Sequence, residues 1–235
     1  MTRRSGKAAR LSAPARRQQL LDVTALLVGE RGFHAISIEA VSARAAVTRA
    51  LVYTHFRDLR ELLEAVIERE TSRALAQVSE TTLTNLSEGD PRELMLEALD
   101  AYLNAVRSSP TTWRLVLMPP EGAPPALHTK IAAGRAAVLQ RLSRAVLPVT
   151  DRSAEARDAE LTARILSAIS DEYARLLLTD PDRFPPHRLL QHARWWLART
   201  PLAHQSDTQP PRPPAQAVHA RDGVPPPGPR SRHQP

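Results

Sequence analysis

Residues 37–56 read SIEAVSARAAVTRALVYTHF, and the reading of this stretch decides the fold. Ser37 can cap a short helix from Ile38 to Ala45, Ala46 and Val47 make a turn, and Thr48 can cap a second helix from Arg49 to Phe56. That is the arithmetic of a helix-turn-helix. Ile38, Val41, Ala45, Val47, Val52 and Phe56 recur where they can share one small core, closed by Leu20, Val23, Leu27 and Phe33. Arg49, Ala50, Tyr53 and Thr54 are left on the outer face of the second helix.

Such a helix has the width of the B-DNA major groove, and its first residues reach the base edges. Arg49, one residue past the cap, is placed to offer its guanidinium fork to a guanine O6 and N7. Tyr53 and His55 lie further along, where the groove wall brings phosphates within reach. The helix N-termini at Ser37 and Thr48 add backbone N–H donors and positive dipole ends. Bland readings stand beside these: Arg44 as a solvated charge, Tyr53 as a surface ring packed on the first helix, His55 as a histidine without a role.

The charge is distributed accordingly. Residues 1–60 hold 11 Lys/Arg against 4 Asp/Glu, whereas residues 61–235 hold 21 of each, so the whole net charge of +7 lies in the first quarter. A basic end on a neutral body points to a polyanion partner for that end. Arg31, Arg44, Arg49, Arg57 and Arg60 sit among periodic apolar residues, which an Arg-rich tail without a partner does not explain. All but two of the basic residues are Arg, a bias that reads first as a high-GC genome.

Working outward, nearly every segment is helical in pattern. Arg16 to Arg31 is stopped by Gly32. Asp58 and Glu61 form a capping box, with Glu61 reaching back, at the start of a long helix towards Val78. Asp90-Pro91 opens a helix to about Arg107, and Ser109-Pro110 opens another through Met118. Ala126 to Val146 follows, ended by Pro148; then Ser153 to Thr179, and His187 to Thr200. These spacings predict an all-α chain of nine helices without strands: a flexible basic arm over 1–14, a DNA-binding domain over 15–60, a helical domain of about six helices over 61–200, and a disordered Pro-rich tail over 201–235.

Residues 17–63 resemble the N-terminal DNA-binding domain of the tetracycline-repressor (TetR) family. Arg17 to Asp22 fits its helix opening, Gly32-Phe33 its first turn, and Ser37-Ile38 its Thr-Val step. Ala45-Ala46-Val47-Thr48 matches Ala-Gly-Val-Ser, and Val52-Tyr53-Thr54-His55-Phe56 matches Leu-Tyr-x-His-Phe. The remaining helices match the family only in count and order. The resemblance implies base reading by Thr48, Arg49, Ala50 and Thr54, and phosphate contacts from Ser37, Tyr53 and His55. Leu51 stands where the family has a small hydroxyl residue, and Leu59 where it has Lys; Arg57 or Arg60 can replace that charge. Ala46 replaces the turn Gly, at some strain if its φ is positive.

The resemblance further implies a body that binds a small molecule and forms a homodimer, with two recognition helices one DNA turn apart on a palindromic double-stranded operator, roughly 34–36 Å. The last two helices are apolar enough to pair with copies of themselves, with one of Trp195 and Trp196 facing its own core and the other the partner. Candidate pocket residues are Met95, Leu99, Tyr102, Trp113, Leu117, Met118, Leu139 and Tyr173, each of which also reads as ordinary core. No cluster of acids occurs among them, which favours a neutral or mildly polar apolar effector over a cation.

The function expected is a cytoplasmic, nucleoid-associated transcriptional repressor released from its operator by a small molecule. The alternative is a non-inducible architectural or cell-cycle DNA-binding protein on the same fold. No apolar run approaches the length of a membrane span, and Met1-Thr2-Arg3-Arg4 is not followed by the apolar stretch of a secretory signal. The absence of Cys excludes disulfides, thiolate zinc sites and a Cys nucleophile. The sequence carries no metal-ligand spacing, Gly-rich phosphate loop or nucleophile elbow, so neither a cofactor nor an enzyme is expected.

Overall fold

The computed structural model describes residues 11–82, 89–150 and 159–199. Among these residues there are nine α-helices, one 3-10 turn at Phe33–Ala35 and no strand. The helices are α1 (Ala13–Arg31), α2 (Ile38–Arg44), α3 (Arg49–Tyr53), α4 (Leu59–Thr81), α5 (Pro91–Ser108), α6 (Pro110–Leu117), α7 (Pro125–Thr150), α8 (Ala159–Thr179) and α9 (Pro186–Leu197). The all-α expectation is met.

Several boundaries differ from the sequence reading, most for a local reason. α1 starts at Ala13, inside the arm expected over 1–14, because Ser12 Oγ accepts the Ala15 N–H at 3.4 Å and Pro14 sits in the first turn. α3 ends at Tyr53 because the chain tightens there: the N–H groups of His55 and Phe56 both donate to the Val52 carbonyl at 3.0 Å, which turns Phe56 inward. Asp58 Oδ1 accepts the Glu61 N–H at 2.8 Å as expected, but Glu61 reaches back to the N–H of Arg57, one residue before the cap, also at 2.8 Å. α7 runs past Pro148 to Thr150. The arm over 1–10, the helix start expected at Ser153 and the Pro-rich segment 201–235 lie outside the described residues.

Two apolar clusters hold the chain together. The first contains Leu20, Leu27, Phe33, Ile38, Val41, Ala45, Val52 and Phe56, with Val23 and Val47 packed against it, as the spacing requires. α4 closes this cluster with Leu62, Val66 and Ile67, and Leu115 of α6 and Leu127 of α7 reach into it. Phe56 is 1% exposed; a buried Phe of this kind contributes about 3–5 kcal/mol relative to Ala. The second cluster is built on α5, whose Met95, Leu99, Leu103 and Val106 meet Leu177 and Leu178 of α8 and Leu189, Ala193 and Leu197 of α9. α4 enters this one too, through Ala74, α6 through Trp113 and Leu117, and α7 through Val146. These three helices therefore belong to both cores.

Candidate functional site

The helix-turn-helix is set by backbone satisfaction at the ends of short helices. Ser37 Oγ accepts the Ala40 N–H at 3.1 Å, and Thr48 Oγ1 accepts the Leu51 N–H at 3.2 Å. Between them, α2 ends with Ala46 at φ 53°. The Ala46 N–H donates to the Ala43 carbonyl at 3.2 Å and the Val47 N–H to the Ser42 carbonyl at 2.9 Å, a Schellman closure that glycine would fill without strain. Ala46 pays for that geometry with about 1–2 kcal/mol of left-handed strain.

Val52 is fully buried, so the opposite side of α3 faces outward. Thr48, Arg49, Ala50, Tyr53 and Thr54 are exposed, and Ser37 and His55 are half-buried. The Tyr53 ring is 54% exposed, against the reading that it packs on α1. The Thr54 hydroxyl is turned back to the Leu51 carbonyl at 2.7 Å. Arg44, Arg49, Arg57 and Arg60 are exposed, and each meets a carboxylate. Arg44 makes a bidentate pair with Glu30 of α1 at 2.8 and 3.2 Å. Arg49 Nη1 meets Glu39 at 2.6 Å and holds that carboxyl below the usual range. Arg57 lies 3.8 Å from both Asp58 and Glu61, and Arg60 lies 3.8 Å from Glu64. Exposed pairs of this kind are weak and screened by salt, so phosphates can compete for the guanidinium groups.

A cavity of about 180 Å³ opens in the body. Of the eight sequence candidates, Met95, Leu99, Tyr102, Trp113 and Leu117 line it. Met118, Leu139 and Tyr173 do not. Met118 caps the end of α6, with its sulfur 3.9 Å from the Thr179 hydroxyl. Leu139 is half-buried on α7 beside the lining residue Val138. Tyr173 is buried, and its hydroxyl bonds His192 Nδ1 of α9 at 2.7 Å, away from the cavity wall. Burial pushes the Tyr173 phenol up, and it pushes Tyr102 well above the ordinary range, with Asp171 adding to the effect.

The structure adds wall residues that the candidate set lacked: Ala74 and Val78 of α4, Gly134 and Arg135 of α7, Ser170 and Asp171 of α8. Asp171 accepts the Tyr102 hydroxyl at 3.3 Å and Arg135 Nη2 at 3.0 Å. Its burial pushes the carboxyl up, opposed by the neighbouring Arg135 and Arg175. A lone acid within the apolar stripe of α8 was the available signal. Among the described residues no group of His, Asp and Glu is arranged to hold a metal ion, and no helix is long and apolar enough to cross a membrane.

Between the outer face and the cavity lies a buried polar network. Glu70 of α4 is 1% exposed. One carboxylate oxygen takes Arg69 Nε at 2.7 Å, and the other accepts the Thr112 hydroxyl of α6. Arg69 also pairs with Asp22 of α1 at 2.7 Å and reaches Gln18. Glu70 occupies an apolar-stripe position, with Val66, Ile67 and Ala74, and a charge there marks a buried partner. On α4, Leu62, Val66 and Ile67 pack in the first cluster while Thr71, Ala74 and Val78 line the cavity.

Comparison with known proteins agrees with this architecture. Residues 20–66 match the family model described as bacterial regulatory proteins, tetR family. The chain is 29% identical over 175 residues to the HTH-type transcriptional activator FasR of Mycolicibacterium smegmatis, covering 73% of this chain and 76% of that protein. It is 40% identical over 79 residues to the HTH-type transcriptional regulator BetI of Yersinia pestis, a match that spans 34% of this chain and 39% of BetI. The fold is shared with a TetR-like transcriptional regulator from Rhodococcus sp. RHA1, with a TM-score of 0.58 at 24% identity, covering 81% of this chain and 97% of that one. Residues 20–66, which hold the capped helix-turn-helix, therefore match the DNA-binding region of the tetR family of bacterial regulatory proteins, and the all-helical body shares its fold with a TetR-like regulator.

Proposed function

We propose that this regulator is a cytoplasmic repressor that binds a palindromic operator as a homodimer and is released when a small molecule enters the cavity. Residues 15–60 supply the DNA surface and residues 61–200 the cavity and the pairing surface. Thr48, Arg49, Ala50 and Thr54 read base edges, and Ser37, Tyr53 and His55 take phosphates. Arg44, Arg57 and Arg60 exchange their carboxylate partners for the DNA backbone. α8 and α9 pair across the two-fold axis: Leu161, Ile165 and Trp195 are exposed there, while Trp196 packs on its own core.

The observation that carries the release mechanism is the sharing of α4 between the two cores. α6 supports it: Leu115 packs in the first cluster, Trp113 and Leu117 line the cavity, and Thr112 hydrogen-bonds Glu70 between them. A ligand that fits one arrangement of α4 and α6 better than another biases the recognition helices through packed side chains. It shifts the equilibrium only by its difference in affinity for the two states.

A genome-wide footprint of the protein tests the reading, followed by titration of the footprinted operator. The expected result is a palindrome whose half-sites lie one helical turn apart and whose neighbouring transcripts rise when the gene is deleted. FasR is named an activator, and transcripts that fall on deletion would assign that sign here instead. Binding without sequence preference would refute the regulator reading in favour of an architectural one.

A further inference from the structure

Asp171 is the one carboxylate on the described cavity wall, and its side chain is 17% exposed. Its two partners differ in kind. Tyr102 is buried and locked by an edge contact with Trp113, their ring centroids 5.1 Å apart. Arg135 lies on α7 with 47% of its side chain exposed, so its guanidinium is a plug drawn in from solvent. Ser170 is occupied elsewhere, donating to the Leu166 carbonyl at 2.9 Å.

We propose that the effector of this cavity is an organic cation with an apolar body, whose ammonium or amidinium group takes Asp171 over from Arg135. The proposal rests on the ligand-release reading above and specifies the chemistry of that ligand. Charge balance carries it. A largely buried carboxylate that loses its cationic partner without replacement is strongly destabilising. A ligand cation that enters as Arg135 swings out keeps the balance, and a half-exposed guanidinium rehydrates readily.

An anionic ligand has no such exchange. To reach it, Arg135 must abandon Asp171, leaving two like charges together in the cavity. Lys130, the other cation on the wall, is held by Glu68 at 2.5 Å. A neutral ligand gains from the apolar walls alone and leaves the Asp171–Arg135 pair as a polar intrusion beside it. Burial holds the Asp171 carboxyl above its usual range, and Arg135 and Arg175 oppose that shift. The rings of Tyr102 and Trp113 on the same wall offer faces that attract a cation.

The test compares three probes with one apolar body and different heads, hexylammonium, hexanoate and hexanol, by calorimetric titration of the full-length protein. The ammonium compound is expected to bind most tightly, by roughly tenfold or more. Asp171→Asn, close in shape, should lose that advantage. Arg135→Ala should act in the opposite direction, tightening the ammonium compound and neither of the others, because the competing guanidinium is gone. Hexanoate or hexanol binding as tightly as the ammonium compound overturns the cation assignment while leaving a ligand-responsive cavity in place. An unchanged affinity of Asp171→Asn for the ammonium compound overturns it equally. Failure of all three to bind tells against the cation and against the ligand-release reading together.

Discussion

Replacing Thr112 by Val removes one hydroxyl from the network between the two cores and leaves the shape of the side chain almost unchanged. In the native protein that hydroxyl donates to Glu70, whose side chain is 2% exposed. The other carboxylate oxygen remains held by Arg69 Nε at 2.7 Å, with Arg73 at 3.5 Å. Losing one hydrogen bond to a buried charged group costs about 1.5–3 kcal/mol. For a chain of this size each kcal/mol lowers the melting temperature by about 2–4 °C, so a fall of roughly 3–12 °C is expected. The melts are run at one protein concentration, because association shifts apparent stability by mass action. A double-mutant cycle with Glu70→Gln separates the pair from its surroundings: in the Thr112→Val background the Gln substitution should cost less than it does alone. A Thr112→Val protein that melts with the native chain, or a cycle in which the two costs simply add, would refute the role assigned to the contact. The same variant should alter the effector concentration that releases the operator, since Thr112 joins α6 to α4.

Ala46→Gly relieves left-handed strain of about 1–2 kcal/mol, offset by about 0.5–1 kcal/mol of unfolded-state entropy, so a slightly higher urea midpoint is expected; a lower midpoint would contradict the turn geometry. Arg49→Ala should relax discrimination between an operator and a one-base variant by about 1–3 kcal/mol, whereas Glu39→Gln, which frees Arg49, should tighten operator binding a few-fold. Equal losses on both sequences for Arg49→Ala would remove its base-reading role. Deleting residues 1–10 removes Arg3, Arg4, Lys7 and Arg10; the slope of log affinity against log salt should become shallower by roughly 1–3 units per chain, and an unchanged slope would show that the arm makes no phosphate contact. A Cβ on Gly134 meets nothing within 4 Å on the cavity side, so Gly134→Leu should fold and fill the cavity, abolishing ligand binding in titration calorimetry while operator binding persists.

The helix-turn-helix was legible because its determinants are local. Ser37 and Thr48 cap helices through bonds three residues away, and the periodicity of Ile38, Val41, Val52 and Phe56 specifies which faces turn inward. Ala46 was singled out by the resemblance, as the residue standing where the family has the turn Gly, and its positive φ came from the structure. The cavity was only half legible. Met95, Leu99, Tyr102, Trp113 and Leu117 share apolar stripes with true core residues, and a stripe does not say whether the space in front of it is filled. Leu139 and Tyr173 carry the same pattern and do not line the cavity. Whether a helix face meets another side chain or a void depends on how five helices from distant parts of the chain converge. That convergence brought Asp171 against Tyr102 and Arg135, and Glu70 against Thr112, across separations of 69, 36 and 42 residues. The sequence by itself determined the helices, their caps and the outward face of α3, because hydrogen bonds and apolar periods act over a few residues. Only the tertiary structure decided where the charges of the body find partners and where space remains, because burial is a property of several helices at once.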